Sequence, residues 1–185
     1  MNQNIKLSGT KLRIAALTAG ISLLIMTVLA FIIFPSLQAS TIYVIGIVII
    51  IILDIIIAIA LYVLLKSVNQ TIAVLMSAFR IIYAIVFAIA LYNISDLERF
   101  NTIWSNGLLL FGIHLLLLGW LVYKAAYIPK IFGLLIVMSS AGYIFDSIIN
   151  YLGYTLEIGM FTFWGEVVFA LWLVIKSTKI SIEPA

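Results

Sequence analysis

Residues 42–65 read IYVIGIVIIIILDIIIAIALYVLL, a run in which Asp54 is the one charged side chain. Crossing about 30 Å of hydrocarbon takes about 20 apolar residues, each rising about 1.5 Å along a helix. In water so many β-branched residues would favour a strand. In lipid the backbone finds no hydrogen-bond partner outside the chain, and a helix satisfies it within one segment. The run therefore reads as a membrane-spanning α-helix, and that reading decides the fold class.

Five more stretches qualify on either side of it: Ile14–Phe34, Ile72–Tyr92, Ile103–Tyr123, Ile131–Tyr151 and Ile158–Ile175. The expected architecture is a single domain over residues 1–185, an all-α integral membrane protein built as a six-helix transmembrane bundle. Composition agrees. The chain is 65% hydrophobic and 9% charged, whereas a soluble domain is about 45–50% apolar and about 25% charged. A soluble fold of this composition lacks the polar surface to cover itself, so the bilayer is its first partner.

The chemistry between the runs suits breaks. Pro35 with Ser36 ends the first span, and Ser67 to Gln70 turns the second into the third. Asn93 to Asn101 is the most polar connector, and Tyr151 to Thr155, with Gly153, joins the last pair. Pro129 suits a helix start, where its missing N–H is harmless. Lys6, Lys11 and Arg13 before an apolar run raise the question of a signal peptide. The run is longer than the roughly 7–15 residues of a signal core, and Leu37-Gln38-Ala39 is a poor cleavage site, so a retained first span is expected.

Lysine and arginine set the orientation. Lys6, Lys11, Arg13, Lys66, Lys124, Lys130, Lys176 and Lys179 fall on one side, and only Arg99 on the other. That bias places both the N-terminus and the C-terminus in the cytoplasm. Tyr62, Tyr92, Trp104, Trp120, Tyr123 and Tyr127 near span ends fit interfacial belts. A net charge of +3 with scattered carriers argues against a nucleic-acid partner. The absence of cysteine excludes disulfides, thiolate metal sites and cysteine nucleophiles within this chain.

Five ionisable residues interrupt the spans: Asp54, Arg80, His114, Asp146 and Glu166. An Asp or Arg at mid-bilayer costs about 2.5–3.5 kcal/mol on insertion scales, and such residues face the bundle interior and pair. Counted from the span ends, Asp54, Arg80 and His114 fall near the midplane and Asp146 and Glu166 toward the outer half, depths that allow all five one shared layer. Arg80 keeps its charge and requires an anion; Asp54, at similar depth on the adjacent antiparallel helix, is the expected partner. The pair reads either as a structural salt bridge or as a positive charge offered to an anionic ligand or lipid head group. Ser139, Tyr143, Asp146, Ser147 and Asn150 recur at helical spacing on the fifth span. That stripe is either interhelical hydrogen bonding or one wall of a polar cavity.

His114 is the single histidine, so no three-histidine metal site or two-histidine haem is available in one chain, and no metal or cofactor is expected. A proton relay through His114, Asp146 and Glu166 is chemically reasonable, with a hydrogen-bonded packing role as the alternative. Small pairs at Ala16 and Gly20, and at Ala84 and Ala88, suit close helix contact. Dividing the chain into two three-span halves of opposite topology puts Asp54 and Asp146 in the middle helix of each, an arrangement used by inverted-repeat transporters.

Two stretches carry a resemblance. LYVLLKSVNQTIAVLMSAFRIIYA (Leu61 to Ala84) and FGIHLLLLGWLVYKAAYIPKIFGLLIVMSSAGYIFDS (Phe111 to Ser147) are similar to the pattern of a bacterial membrane family, domain of unknown function 4386 (DUF4386). The resemblance covers most of spans two to five. It carries over Asp54, Arg80, His114, Pro129, Gly142, Tyr143 and Asp146. Lys66-Ser67 stands where the family often has Arg-Pro, and Lys124-Ala125-Ala126 where it often has Arg-Ser-Gly. The resemblance implies a bacterial multi-pass membrane protein and brings no activity with it.

The functional expectation is a protein of the cell membrane that binds a small ligand, lipid or ion in a polar core, for transport or sensing. The core candidates are Asp54, Arg80, His114, Ser139, Tyr143, Asp146, Asn150 and Glu166. Two alternatives stay open. One is an intramembrane enzyme using His114 and the carboxylates; the other is a structural subunit, as a homo-oligomer or with a membrane partner.

Overall fold

The computed structural model describes residues 3–33, 40–154 and 157–177, with side chains from residue 9 onward. The described chain is all helix: α1 (Gln3–Ile33), α2 (Thr41–Leu65), α3 (Gln70–Tyr92), α4 (Leu97–Lys124), α5 (Lys130–Tyr151), α6 (Gly159–Thr162) and α7 (Trp164–Lys176). Six stretches are long and apolar enough to cross a membrane, with α6 and α7 together forming the last. The outward faces carry large apolar side chains, among them Ile25, Ile52, Ile59, Ile85 and Leu171. A surface of that kind needs lipid around it, and it marks a multi-pass membrane protein.

The helix starts follow from local chemistry. Ser40 caps α2 by accepting from the Tyr43 N–H at 3.3 Å, and Asn69 caps α3 by accepting from Ile72 at 3.0 Å. Asp96 caps α4 by accepting from the Arg99 N–H at 3.1 Å. That cap starts α4 at Leu97, ahead of the expected Ile103, so part of the polar connector is helix. Pro129 precedes α5 as expected. α5 ends where Gly153 turns left-handed at φ 85°. The Tyr154 N–H then reaches Ile149 O at 3.1 Å and the Gly153 N–H reaches Asn150 O at 3.0 Å, closing a Schellman motif. The last span departs from expectation: it is interrupted at Phe163, between α6 and α7. The Pro35–Ser36 break and Leu37-Gln38-Ala39 lie outside the described residues.

The closest packing runs from each helix to the next in sequence, and α7 returns to α1. The six spans thus close into a ring. Glycines set the tightest crossings. A Cβ on Gly119 of α4 would meet Gly133 O of α5 at 2.9 Å, and one on Gly165 of α7 would meet Leu135 O of α5 at 2.5 Å. A Cβ on Gly20 of α1 would meet Ala170 O of α7 at 2.9 Å, beside fully buried Ala16, so this small pair does mediate a crossing. Ala84 is buried, but Ala88 is exposed.

One end of the ring gathers Lys66, Lys124 and Lys130, whose ammonium groups lie 5.6, 6.0 and 5.5 Å from the ring centres of Tyr62, Trp120 and Tyr123. Such pairs suit an interface where stems are apolar and heads are wet. At the same end the Tyr127 hydroxyl donates to Leu64 O at 2.5 Å, tying the α4–α5 connector to the close of α2.

Candidate functional site

Arg80 projects from α3 into the middle of the ring and is fully buried. Its Nη2 lies 2.7 Å from Asp54 Oδ1 of α2, the ion pair expected from the sequence. Its Nη1 lies 3.0 Å from His114 Nε2 of α4. A guanidinium has no acceptor, so Nε2 must accept. The ring proton is then on Nδ1, which donates to Met76 O at 2.8 Å. His114 is held as one neutral tautomer with both nitrogens engaged. Arg80 Nη2 also approaches Met26 Sδ of α1 at 3.9 Å, and its Cζ lies 5.2 Å from the centre of the Phe111 ring. One turn away, Ser77 Oγ donates to Ala58 O at 2.9 Å and fastens α3 to α2. Arg80 Nε and Asp54 Oδ2 have no hydrogen-bond partner among the described residues.

Phe111 carries this assembly toward α5. Its ring packs at 5.0 Å from Tyr83 and edge-on at 5.1 Å from Tyr143. The Tyr83 hydroxyl accepts from Trp104 Nε1 at 3.2 Å. Glu166 sits near the start of α7, on the stripe that continues through buried Ala170 and Leu173. The packing of Phe31 on Phe163 and of Gly20 on Ala170 runs α7 antiparallel to α1 and brings Glu166 toward the level of Met26. Glu166 is within Coulombic reach of Arg80, Asp54, Tyr83 and Tyr143. Met26, Asp54, Arg80, His114, Tyr143 and Glu166 therefore form one layer with a contribution from each of the six spans.

The layer is unevenly satisfied. Glu166 and Tyr143 are only partly buried. Among the described residues neither the Glu166 carboxylate nor the Tyr143 hydroxyl has a hydrogen bond or ion pair.

The other candidates on α5 do different work. Asp146 accepts from the Ile158 N–H at 2.8 Å and the Gly159 N–H at 2.6 Å, so its carboxylate is bound to the backbone at the start of α6. Ser139 Oγ lies 2.6 Å from Thr162 O, and Ser140 Oγ donates to Gly112 O at 2.8 Å. Ser147 Oγ reaches Ser105 O at 3.3 Å. These are stitches from α5 to its neighbours. Asn150, one turn beyond, is exposed and outside the layer. No three His, Asp or Glu side chains converge as a metal site among the described residues.

Comparison with known proteins places this arrangement. Residues 39–97 and 95–177 match the family described as Domain of unknown function (DUF4386). The chain belongs to DUF4386. An uncharacterized protein of Archaeoglobus fulgidus is 53% identical over 156 residues, covering 84% of this chain and 96% of that protein. No solved structure matches. The DUF4386 match runs through the last span and so includes Glu166, beyond the stretches on which the sequence resemblance rested. Met26 precedes the matched residues. Phe111 and Met26 escaped the sequence reading because nothing in an apolar residue's neighbours marks it as the seat of a guanidinium. Tyr83, at i+3 from Arg80, is on the same face of α3 and was findable by spacing.

Proposed function

We propose that this DUF4386 protein resides in the cell membrane with both termini in the cytoplasm, and that it holds a small ligand, lipid or ion beside Glu166 and Tyr143, for transport or sensing. The observation that carries the reading is Glu166 itself. It is a partly buried carboxylate in a membrane span, with no hydrogen bond or ion pair among the described residues. Ionisable groups at such depth are costly and pair when they can. An occupant supplies what the bundle does not.

The orientation rests on the lysines gathered at one end and the positive-inside rule. Ser67 and Ala126 are exposed at that end. Cysteines placed there should react with a membrane-impermeant thiol reagent in inside-out vesicles and not in intact cells. Reaction in intact cells would reverse the orientation.

The direct test is native mass spectrometry of the purified protein beside Glu166→Gln. A defined extra mass present with the wild type and absent from the variant supports ligand binding. A bare chain in both transfers weight to the structural-subunit reading, which the closed Arg80 assembly favours. The enzyme reading has less support, because both nitrogens of His114 are engaged and no free base is left on the ring.

A further inference from the structure

A groove of about 450 Å³ runs between α1 and α2 on the outer surface of the bundle and shares no residue with the layer around Arg80. Its shape follows from side-chain size. Ala15 and Ala60 form the floor, each 6% exposed, while Ile14 at 61% and Ile59 at 56% stand up as walls. The two helices run antiparallel, since Ile33 at the end of α1 lies against Gly46 near the start of α2. The groove therefore opens at Lys11 and Val63, at the end of the ring that carries Lys66, and finishes at Thr18 and Ile56. From residue 11 to 18, and from 63 back to 56, a helix advances about 10 Å. A hydrocarbon core is about 30 Å thick, so the groove stays within the leaflet at the lysine end.

The charge at its mouth is unmatched. Lys66, Lys124 and Lys130, at the same end, each lie against an aromatic ring. Lys11 has no ring contact, hydrogen bond or ion pair among the described residues. No described acidic side chain stands at that end: Asp54, Asp146 and Glu166 lie within spans, and Asp96, Glu98 and Glu157 at the opposite end. An anion for Lys11 has to come from outside the described chain. A cation above a narrow apolar trench matches the division of an anionic phospholipid, with its phosphate at the head and an acyl chain below. A free phosphate has no use for the trench, and an uncharged lipid has no use for the lysine.

We propose that this groove seats one acyl chain of an anionic phospholipid from the leaflet at the lysine end, with Lys11 as the counter-charge of its phosphate. The site is separate from the one at Glu166 and does not rest on it.

The test is native mass spectrometry of the full-length protein in detergent, stripped of lipid and then titrated with phosphatidylglycerol or with phosphatidylcholine of the same chains. One phosphatidylglycerol should bind about fivefold more tightly than phosphatidylcholine, the effect of about one lysine at a membrane surface. Lys11→Gln should remove that preference. Lys130→Gln deletes the same charge from α5, outside the groove, and should leave the preference within about twofold. Ala60→Leu fills the floor and should weaken retention of both lipids by at least about tenfold while keeping the wild-type helical content, because several buried methylenes are displaced. Inorganic phosphate should not displace the lipid. Equal affinity for the two lipids, equal losses in Lys11→Gln and Lys130→Gln, undiminished binding by Ala60→Leu, or displacement by phosphate would each overturn the proposal. Should Ala60→Leu fail to fold, Lys11→Gln, at an exposed position, decides alone. Failure here leaves the Glu166 reading standing, because the two sites have no residue in common.

Discussion

On the α2–α3–α4 side of the ring, the charged side chains are paired with one another, with Arg80 Nε and Asp54 Oδ2 of that group left without a hydrogen bond among the described residues. Arg80 commits Nη1 to His114 and Nη2 to Asp54, and His114 uses its remaining nitrogen on the backbone of α3. On the α5–α7 side, polar groups at comparable depth divide differently. The serines and Asp146 stitch backbones together, while Tyr143 and Glu166 remain unspent among the described residues. Both sides hold residues that a membrane tolerates poorly. The first side matches its charges internally, and the second leaves a carboxylate unmatched among the described residues. An ionisable residue inside a membrane helix is thus a marker of structure or of binding according to whether its bonds are already made.

The largest effect should come from breaking the charge-paired side. Arg80→Leu leaves Asp54 buried without its cation and removes the donor to His114. Breaking a buried pair in this way costs about 3–5 kcal/mol, which should be visible as a large loss in denaturant or thermal unfolding in detergent. Asp54→Asn combined with Arg80→Leu removes the stranded charge and should recover part of the loss. Strictly additive losses in the double variant would show that the two residues are not coupled, and the distinction between the two sides would fall with them.

How far the sequence carried depends on which kind of constraint acted. The spans were legible because Ile42–Leu65 admits one explanation. The Asp54–Arg80 pair was legible because an arginine that cannot lose its charge sat opposite an acid on the next antiparallel helix. Asp146 was placed in the shared layer by depth alone, yet the chain returns twelve residues later and offers it the N–H groups of Ile158 and Gly159. No spacing rule announces that return. Asn150 followed the same stripe past the point where α5 has a neighbour, so periodicity held and burial did not. The early start of α4 was written in Asp96, a capping residue that reads in a polar connector as merely polar. The interruption at Phe163 has no proline or glycine at that position to signal it.

A smaller effect should appear where the two sides are tied together. Tyr127 sits on the α4–α5 connector and donates to Leu64 O at the end of α2. Burial raises the pKa of its hydroxyl, and a side-chain hydrogen bond with Ser67 acts weakly in the other direction. The folded protein therefore holds this proton more firmly than the unfolded chain does. The associated stability is fully present below about pH 10, the ordinary tyrosine value. It is lost as pH rises from there through the raised folded value. Tyr127→Phe should cost about 1 kcal/mol at neutral pH and should flatten this alkaline fall in unfolding measured across pH. An unchanged alkaline profile would mean that the tie contributes nothing, and the two sides would then be joined by helix packing alone.

The smallest effect on stability, and the most informative, should come from Glu166→Gln. If Glu166 belonged to a satisfied network like that of Arg80, its neutral isostere would forfeit charge-assisted bonds and lose several kcal/mol. With no bond to lose, the ligand-free variant should unfold within about 0.5 kcal/mol of the wild type. A gain is the natural direction, because a group that is costly to hold as an anion in hydrocarbon has been made neutral. The measurement is equilibrium unfolding of both proteins after exhaustive washing in detergent. A loss comparable to that of Arg80→Leu would mean that Glu166 is a structural partner of the Arg80 layer, and the unspent side of the ring would be spent after all. A small change, alongside loss of the co-purifying mass, would separate binding from folding at one carboxylate. That separation is what the contrast between the two sides requires.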